Sequence, residues 1–105
     1  MSKKPETLFK EKVMRYLDSI PNVWYLKIYG NAVQSGGIPD LLVCYKGRFV
    51  ALELKDPDEK NKYGETSRQR MHIKRIIKCG GIGATVNSIE QIDEIFKEIK
   101  KTRKT

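Results

Sequence analysis

The sequence predicts a single α/β domain, with helices packed on both faces of a β-sheet. The chain has 105 residues, which is the size of one ordinary domain. Segments with helical and with strand-like patterns follow one another in the order α-β-β-β-α-β-α. The central strand pair is apolar on both faces, and such a sheet has to be covered on both faces. We therefore expect one domain over residues 1–105, of which 97–105 form a basic, frayed tail.

Three segments have apolar residues at helical spacing. The first spans residues 5–20 and ends before Pro21, which cannot continue a helix. The second begins at Ser67, a good capping residue, and ends before a pair of glycines. The third follows Ser88 and Gln91, whose spacing is that of a capping box.

Four segments rich in apolar, β-branched and aromatic residues are predicted as strands. They span residues 23–29, 40–45, 48–55 and 82–87. Lys46 and Gly47 separate the second from the third, which indicates a tight hairpin. Three aromatic residues of the first strand are expected in the core rather than stacked on nucleobases: Trp24, Tyr25 and Tyr29.

The register of the predicted hairpin places two acids opposite each other. With a two-residue turn after Tyr45, counting outward along both strands brings Asp40 opposite Glu53. Directly opposed side chains have Cβ atoms about 5 Å apart. Lys55 lies on the same face as Glu53, because side chains alternate along a strand. The sequence thus predicts two carboxyls and an amine together at one end of the strands.

This cluster has the outline of a magnesium site. Two adjacent carboxylates repel each other unless a cation or a proton lies between them, and a hard divalent ion takes carboxylates, a carbonyl and waters. An adjacent lysine can activate a water or stabilise charge on a phosphate. The alternative is a surface salt bridge between Glu53 and Lys55, with Asp40 capping a turn. The metal site is favoured because the acids interrupt apolar strands, where an unused charge is costly.

The charge balance indicates the kind of partner. The chain has 21 Lys and Arg against 13 Asp and Glu, which gives a net charge of +8 and predicts attraction to nucleic acid. A surface charged only for solubility is the alternative. Because no segment resembles a membrane span or a signal peptide, we expect an intracellular protein without a membrane partner. Cys44 and Cys79 are expected to be buried free thiols, with a disulfide or a metal pair as the second choice.

Three segments together resemble the VRR-NUC family of the PD-(D/E)XK nuclease superfamily. They are Gly37-Ile38-Pro39-Asp40, Phe49-Val50-Ala51-Leu52-Glu53-Leu54-Lys55 and Ser67-x-Gln69. The resemblance extends from about residue 6 to about residue 96. It implies a restriction-endonuclease-like αβββαβ core with a mixed sheet, hydrolysis of DNA phosphodiesters with Mg²⁺ or Mn²⁺, and no small-molecule cofactor.

The resemblance also implies roles for individual residues. Asp40 and Glu53 would bind the metal ion, helped by the backbone carbonyl of Leu54. Lys55 would be the catalytic lysine. Gln69 matches a recurrent glutamine of the following helix, and an ordinary first-turn residue is the alternative for it.

The superfamily often adds a glutamate from the first helix, and two residues could supply it. Glu6 lies three residues before Phe9 on the inward stripe, whereas Glu11 points roughly away from that stripe. The resemblance therefore favours Glu6 as a further metal ligand. A first-turn acid stabilised by the helix dipole is the alternative for Glu6.

Several residues are predicted to contact the DNA backbone. Lys27 and Ser35 could reach a phosphate near the scissile bond, although ordinary loop chemistry explains the glycines around Ser35 equally well. His72 is expected to pack partly buried rather than to act as a general base. Three cations of the second helix are contact candidates, with a solvated helix face as the alternative: Arg68, Arg70 and Lys74.

The biological substrate is inferred by family analogy. Stand-alone members of the family resemble Holliday-junction resolvases and are frequent in phage, and a single small domain holds one active site. We therefore expect a structure-specific endonuclease that cuts branched, Holliday-junction-like DNA as a homodimer. Two alternatives remain: a non-cleaving DNA-binding module on a decayed nuclease fold, and a nicking or restriction-like nuclease that needs a partner.

Overall fold

The computed structural model describes residues 4–28, 37–57 and 67–102. The elements within these ranges follow the predicted order, and their bounds lie within two residues of the predicted ones wherever both can be compared, apart from the tail. They are α1 (Pro5–Asp18), β1 (Val23–Lys27), β2 (Leu41–Tyr45), β3 (Arg48–Leu54), α2 (Ser67–Lys78), β4 (Ile82–Val86) and α3 (Ile89–Thr102). None of the helices within these ranges is long and apolar enough to cross a membrane.

The predicted fraying from residue 97 is wrong for residues 97–102, which continue α3. Ile99 extends the apolar stripe of this helix and is 1% exposed, so ending the helix earlier would expose it. The hydroxyl of Thr102 donates to the carbonyls of Glu98 and Ile99 and stabilises the last turn.

Helices α1 and α3 begin where the sequence signals predict. Pro5 occupies the first turn of α1, where its missing N–H costs no hydrogen bond. At the start of α3, the Ser88 N–H donates to Gln91 Oε1 (3.2 Å) and the Gln91 N–H donates to Ser88 Oγ (3.3 Å), which is the predicted capping box. Helix α1 ends two residues earlier than predicted, because the hydroxyl and the amide of Ser19 both donate to the carbonyl of Tyr16.

The four described strands form one mixed sheet in the order β1-β2-β3-β4. The pairs β1–β2 and β2–β3 are antiparallel, and β3–β4 is parallel. The hairpin turns at Lys46 (φ 50°) and Gly47 (φ 79°), and both lie in the left-handed region that a type I′ turn requires. Leu41 pairs with Leu52, so the register predicted from this turn is confirmed.

The hydrophobic core lies on one face of the sheet, between the sheet and the two helices α1 and α3. The rings of Tyr45 and Phe96 pack together there, with centroids 4.7 Å apart. The buried core residues are Phe9, Val13, Leu17, Leu41, Val43, Tyr45, Val50, Leu52, Leu54, Val86, Ile92, Phe96 and Ile99.

Helix α2 packs on the other face, over β3 and β4. Two glycines, one directly before β4 and one within it, let the helix approach closely. A Cβ on Gly81 would lie 3.0 Å from Cγ2 of Ile76, and a Cβ on Gly83 would lie 3.1 Å from the carbonyl of Ile73. Helices therefore pack on both faces, as predicted, but on this second face α2 leaves β1 and β2 largely bare.

Two predictions made from the sequence are wrong, and the incomplete cover explains the exposure of Trp24 and Cys44. Trp24, predicted in the core, is 58% exposed, whereas Tyr25 on the opposite face of β1 is half-buried. Cys44 and Cys79, predicted as buried thiols, are both free but exposed. For Trp24 and Cys44 the physical reason is the width of the sheet: one helix with its side chains is about 10 Å across, and four strands span about 14–19 Å. Cys79 directly follows α2 and lies outside the sheet. Tyr29 lies outside the described residues.

Candidate active site

Asp40 lies directly before β2, at the end of the sheet where β3 finishes. The hairpin pairing continues beyond its last strand pair and brings Asp40 beside Glu53. The backbone holds Asp40 from both sides. Its carbonyl accepts a hydrogen bond from the N–H of Ile28 (2.8 Å), and its Oδ2 accepts one from the N–H of Leu54 (2.8 Å). The Asp40 carboxyl is therefore fixed in position at the strand ends.

Among the residues that the structure describes, Glu53 is the one polar or charged side chain that is buried, with 2% exposed. Its carboxyl is hydrogen-bonded to that of Asp40, and its Oε1 has no hydrogen-bond partner among the described residues. Burial, this hydrogen bond and the charge of Asp40 raise the pKa of Glu53 to about 8, while the charges of Lys55 and Lys10 act to lower it. At neutral pH, without a bound cation, this raised pKa favours the protonated form of Glu53.

The partnerless oxygen of Glu53 shows that the residues present fit a metal ion. A buried acceptor without a partner destabilises the fold, and a divalent cation between the two carboxylates would remove both that cost and their repulsion. Mg²⁺ needs one or two carboxylates and keeps several waters, and Mn²⁺ takes the same oxygen ligands. Within the described ranges, no three His, Cys, Asp or Glu side chains form a group that could hold a metal. The site is therefore an open pair of acids rather than a closed cage.

Lys55 follows β3 and completes the predicted cluster. Its N–H donates to the carbonyl of Val86 (2.9 Å), which extends the pairing of β3 with β4 by one residue and fixes the backbone there. The side chain is half-buried, and its charge lowers the pKa of Glu53. The structure thus brings together Asp40, Glu53 and Lys55 at adjacent strand ends, as the hairpin register predicted.

Helix α1 contributes a lysine that sequence reasoning missed. The Nζ of Lys10 lies 3.4 Å from Oδ1 of Asp40 and 3.6 Å from Oε1 of Glu6. This places Glu6 on the side of α1 that faces the acid pair, which favours it over Glu11 as the first-helix acid. Glu6 is joined to Asp40 through Lys10, and its role as a metal ligand stays a prediction. The i, i+4 spacing of Glu6 and Lys10 signals their ion pair, but nothing in the sequence connects Lys10 to Asp40.

Strand β4 brings a second residue that the sequence did not single out. Thr85 pairs with Glu53 in the parallel register and is half-buried on the same face of the sheet. Neighbouring strands lie about 4.8 Å apart, so a hydroxyl-bearing side chain stands next to the buried acid. A threonine inside a strand carries no signal of its own, because threonine is common in strands.

A close backbone contact positions the Pro39-Asp40 segment against α2. Gly37 has φ +91°, and a Cβ there would lie 2.6 Å from Cβ of Arg68 and 2.8 Å from the backbone nitrogen of Gln69. Only glycine fits such a contact. The segment that carries Asp40 therefore packs on the first turn of α2, where Gln69 is half-buried.

The predicted DNA-contact residues fall on two sides of the site. Lys27 lines a small cavity together with Lys10 and Asp40, on the α1 side. His72 is half-buried, as its predicted packing role requires. Ser35 lies outside the described residues. The cations predicted on α2 are all exposed: Arg68, Arg70 and Lys74.

The described chain is a mixed α/β fold with helices on both faces of the sheet, and an acid pair lies beside a lysine at adjacent strand ends. A solved structure described as a VRR_NUC domain has the same fold, with a TM-score of 0.70 and 24% sequence identity. The match covers 90% of this chain and 97% of that chain. No family model and no curated protein sequence matches the chain. The chain thus has the fold of a VRR_NUC domain, which confirms the fold that the sequence resemblance implied.

Proposed function

We propose that this protein is a metal-dependent endodeoxyribonuclease, which hydrolyses phosphodiester bonds in DNA. The observation that carries the proposal is the pair of the buried Glu53 and the half-buried Asp40, with Lys55 beside it, at the strand ends of a VRR_NUC fold. A structural role explains this pair poorly. A buried acid with a partnerless oxygen destabilises the protein, and such groups concentrate at functional sites.

Asp40 and Glu53 would hold Mg²⁺ or Mn²⁺, together with the backbone carbonyl of Leu54 and with Glu6 as a further acid. When bound, the ion would lower the pKa of a coordinated water and withdraw negative charge from a phosphoryl oxygen. Glu53 has to release its proton before it can bind a cation. The charges of Lys55 and Lys10 favour that ionised form.

Lys55 and Gln69 would act on the reacting groups directly. The ammonium of Lys55 would orient the attacking water and stabilise the negative charge that develops on the phosphate. Gln69 lies in the first turn of α2, against the segment that carries Asp40, where its amide would hold the water or the phosphate in place. Both residues would thereby reduce the entropy cost of bringing water and phosphate together.

The charge distribution supports DNA as the substrate. The chain carries a net charge of +8. Lys27 lies on the α1 side of the acid pair, and Arg68, Arg70 and Lys74 project from α2 on the other side. A phosphate backbone that passes the strand ends would meet cations on both sides. Because such contacts release counterions, we expect binding that weakens steeply as the salt concentration rises.

We further propose that the substrate is branched DNA of the Holliday-junction kind, cut by a homodimer. The number of active sites in one chain supports the homodimer. The described part of the chain holds one acid pair with a buried member, Glu53, whereas symmetric cutting of two strands requires two such sites.

A cleavage assay with the purified protein tests these proposals. Four-way junction, flap, duplex and single-stranded DNA are each compared in Mg²⁺, Mn²⁺ and EDTA, with Asp40→Ala as the inactive variant and Glu98→Gln as the control. Glu98 is exposed on α3 and lies outside the site. We expect junction cleavage that EDTA and Asp40→Ala abolish and that Glu98→Gln leaves unchanged.

The other outcomes identify the alternatives. Junction binding without cleavage in either metal would favour a non-cleaving DNA-binding module. Cleavage that appears only after a partner protein is added would favour a nicking or restriction-like subunit. Full activity of Asp40→Ala would contradict the assignment of the site.

A further inference from the structure

A patch without charged side chains lies on the α2 face of the sheet, on β1 and β2, which α2 leaves largely bare, and on the adjoining part of β3, where Ala51 is buried. The register places its side chains in two adjacent rows across β1, β2 and β3. The first row is Trp24, Cys44 and Phe49, and the second is Leu26, Leu42 and Ala51. Trp24, Leu26 and Phe49 are 58%, 47% and 44% exposed. These six residues are called the apolar plate below.

We propose that the apolar plate binds the plate of a second copy of this chain and so forms a homodimer. In a chain with 32% charged residues, the plate contains no ionisable group other than the thiol of Cys44. Exposed apolar surface of this kind marks an interaction site. The plate also reaches β1, which is an edge of the described sheet, and an open edge strand needs cover as well.

Charge favours a second copy over a strand of nucleic acid. Surfaces that bind unpaired bases combine aromatic side chains with cations that hold the backbone, and the plate itself contains no cation. Two copies that each carry a net charge of +8 repel each other over most of their surface. A face without charge is therefore where two copies can approach most easily.

The position of α2 determines how two plates can meet. A helix on a sheet and two stacked sheets both pack at about 10 Å, so the sheet of the partner would lie level with α2. A two-fold axis that runs across the strands would drive the partner's α2 into β3 and β4. A two-fold axis parallel to the strands instead places each α2 beside the partner's β1 edge. The geometry therefore selects the axis parallel to the strands.

This axis has a consequence for the proposed nuclease, and here the inference rests on the proposed function. A two-fold rotation about an axis parallel to the strands does not exchange the two ends of the strands. Both acid pairs therefore lie at the same end of the dimer. Strand spacings of about 4.8 Å and a sheet separation of about 10 Å put the two acid pairs roughly 10–20 Å apart. The dimer would present two sites side by side to one DNA molecule.

Cys44 allows a direct test, because it lies on the middle strand of the plate and close to the proposed axis. In the Cys79→Ser variant, Cys44 is the sole thiol. We expect a short bismaleimide to convert this variant into a covalent dimer in high yield. The matched variant Cys44→Ser keeps Cys79, which is exposed directly after α2 and is not part of the plate, and should cross-link in much lower yield.

Light scattering tests the interface independently. We expect the mass of a dimer for the wild-type protein and the mass of a monomer for Trp24→Glu and Leu26→Glu, each with an unchanged circular dichroism spectrum. The control is Ile77→Glu, because Ile77 is 53% exposed on α2 and is not part of the plate. Ile77→Glu should remain a dimer. If both plate variants unfold, the cross-link at Cys44 decides the question on its own.

Three results would overturn the inference: a monomeric wild-type protein, a dimer that persists in folded Trp24→Glu and Leu26→Glu, or a dimer without a Cys44 cross-link. Quenching of the fluorescence of Trp24 by a single-stranded oligonucleotide, with a monomeric mass, would assign the plate to nucleic acid instead. Junction cleavage by a monomer would overturn this inference and leave the nuclease proposal standing. A cross-linked dimer that cleaves no DNA would support this inference and contradict the nuclease proposal.

Discussion

Lys10 of α1 and Asp40 form an ion pair, with 3.4 Å between Nζ and Oδ1. The same Nζ lies 3.6 Å from Oε1 of Glu6, so one lysine joins the first helix to the acid pair. The other oxygen of Asp40, Oδ2, accepts the N–H of Leu54. The protein thus places its own cation on the carboxylate that we propose as a metal ligand, and Lys10 is expected to oppose metal binding.

Substitution of Lys10 by methionine should therefore tighten metal binding above pH 8, where Glu53 ionises without the help of the Lys10 charge. An ammonium about 5 Å from a divalent ion costs about 1–2 kcal/mol in a solvated site, which corresponds to a roughly 5–30-fold gain in affinity for Lys10→Met. Titration calorimetry with Mn²⁺ measures this without reference to activity. Lys12→Met, on the same helix but exposed, is the control and should bind as the wild type does. Unchanged or weaker binding by Lys10→Met would show that Lys10 does not compete with the ion.

The raised pKa of Glu53 predicts how stability depends on pH. Because the folded protein holds the proton of Glu53 up to about pH 8, and a free carboxyl loses it near 4.5, the metal-free protein should lose stability as the pH rises between these values. Glu53→Gln removes this contribution. At pH 8 its free energy of unfolding should exceed that of the wild type by roughly 2–4 kcal/mol, and the gain should shrink towards pH 4.5.

Urea unfolding in EDTA at pH 5 and pH 8 measures this difference. Comparing wild type and variant at each pH cancels the titration of all other groups. Equal stability of the two proteins at pH 8 would contradict the burial of Glu53 in a mainly protonated form.

Two glycines with similar backbone angles allow the stability cost of a steric clash to be measured apart from the cost of backbone strain. Gly37 (φ +91°) would place a Cβ 2.6 Å from Cβ of Arg68, whereas a Cβ on Gly80 (φ +95°) would meet nothing within 4 Å. We expect Gly80→Ala to cost about 1 kcal/mol from strain alone and Gly37→Ala to cost roughly 2–4 kcal/mol. Thermal unfolding measures both. Gly37→Ala should also lower cleavage, because it displaces the segment that carries Asp40. Equal costs for the two variants would contradict the packing of this segment on α2.

Local chemistry explains which parts of the structure could be predicted. The turn at Lys46 and Gly47 fixes the hairpin register within a few residues, and the register alone brings Asp40 opposite Glu53. Helix starts were also predictable, because Pro5 and the capping box of Ser88 act within one turn. The assignment of metal-binding and catalytic roles to these residues stays a prediction.

Contacts between distant elements explain what could not be predicted. The ion pair of Lys10 with Asp40 depends on how α1 lies across the sheet, and no local pattern encodes that placement. The exposure of Trp24 and Cys44 has a similar origin. A strand that is apolar on both faces indicates cover on both faces, but how much of the sheet α2 covers depends on where that helix lies across it.

The central claim is that the pair of Asp40 and Glu53 binds the metal used in DNA cleavage, and Glu53→Gln tests it most directly. The substitution keeps the size and the hydrogen-bonding capacity of the side chain while removing the negative charge. Single-turnover cleavage of a four-way junction is compared with the wild type, alongside Mn²⁺ binding and circular dichroism. We predict a folded variant whose Mn²⁺ binding is lost and whose cleavage rate falls by about 10³-fold or more. A folded Glu53→Gln protein that cleaves at the wild-type rate would contradict the account.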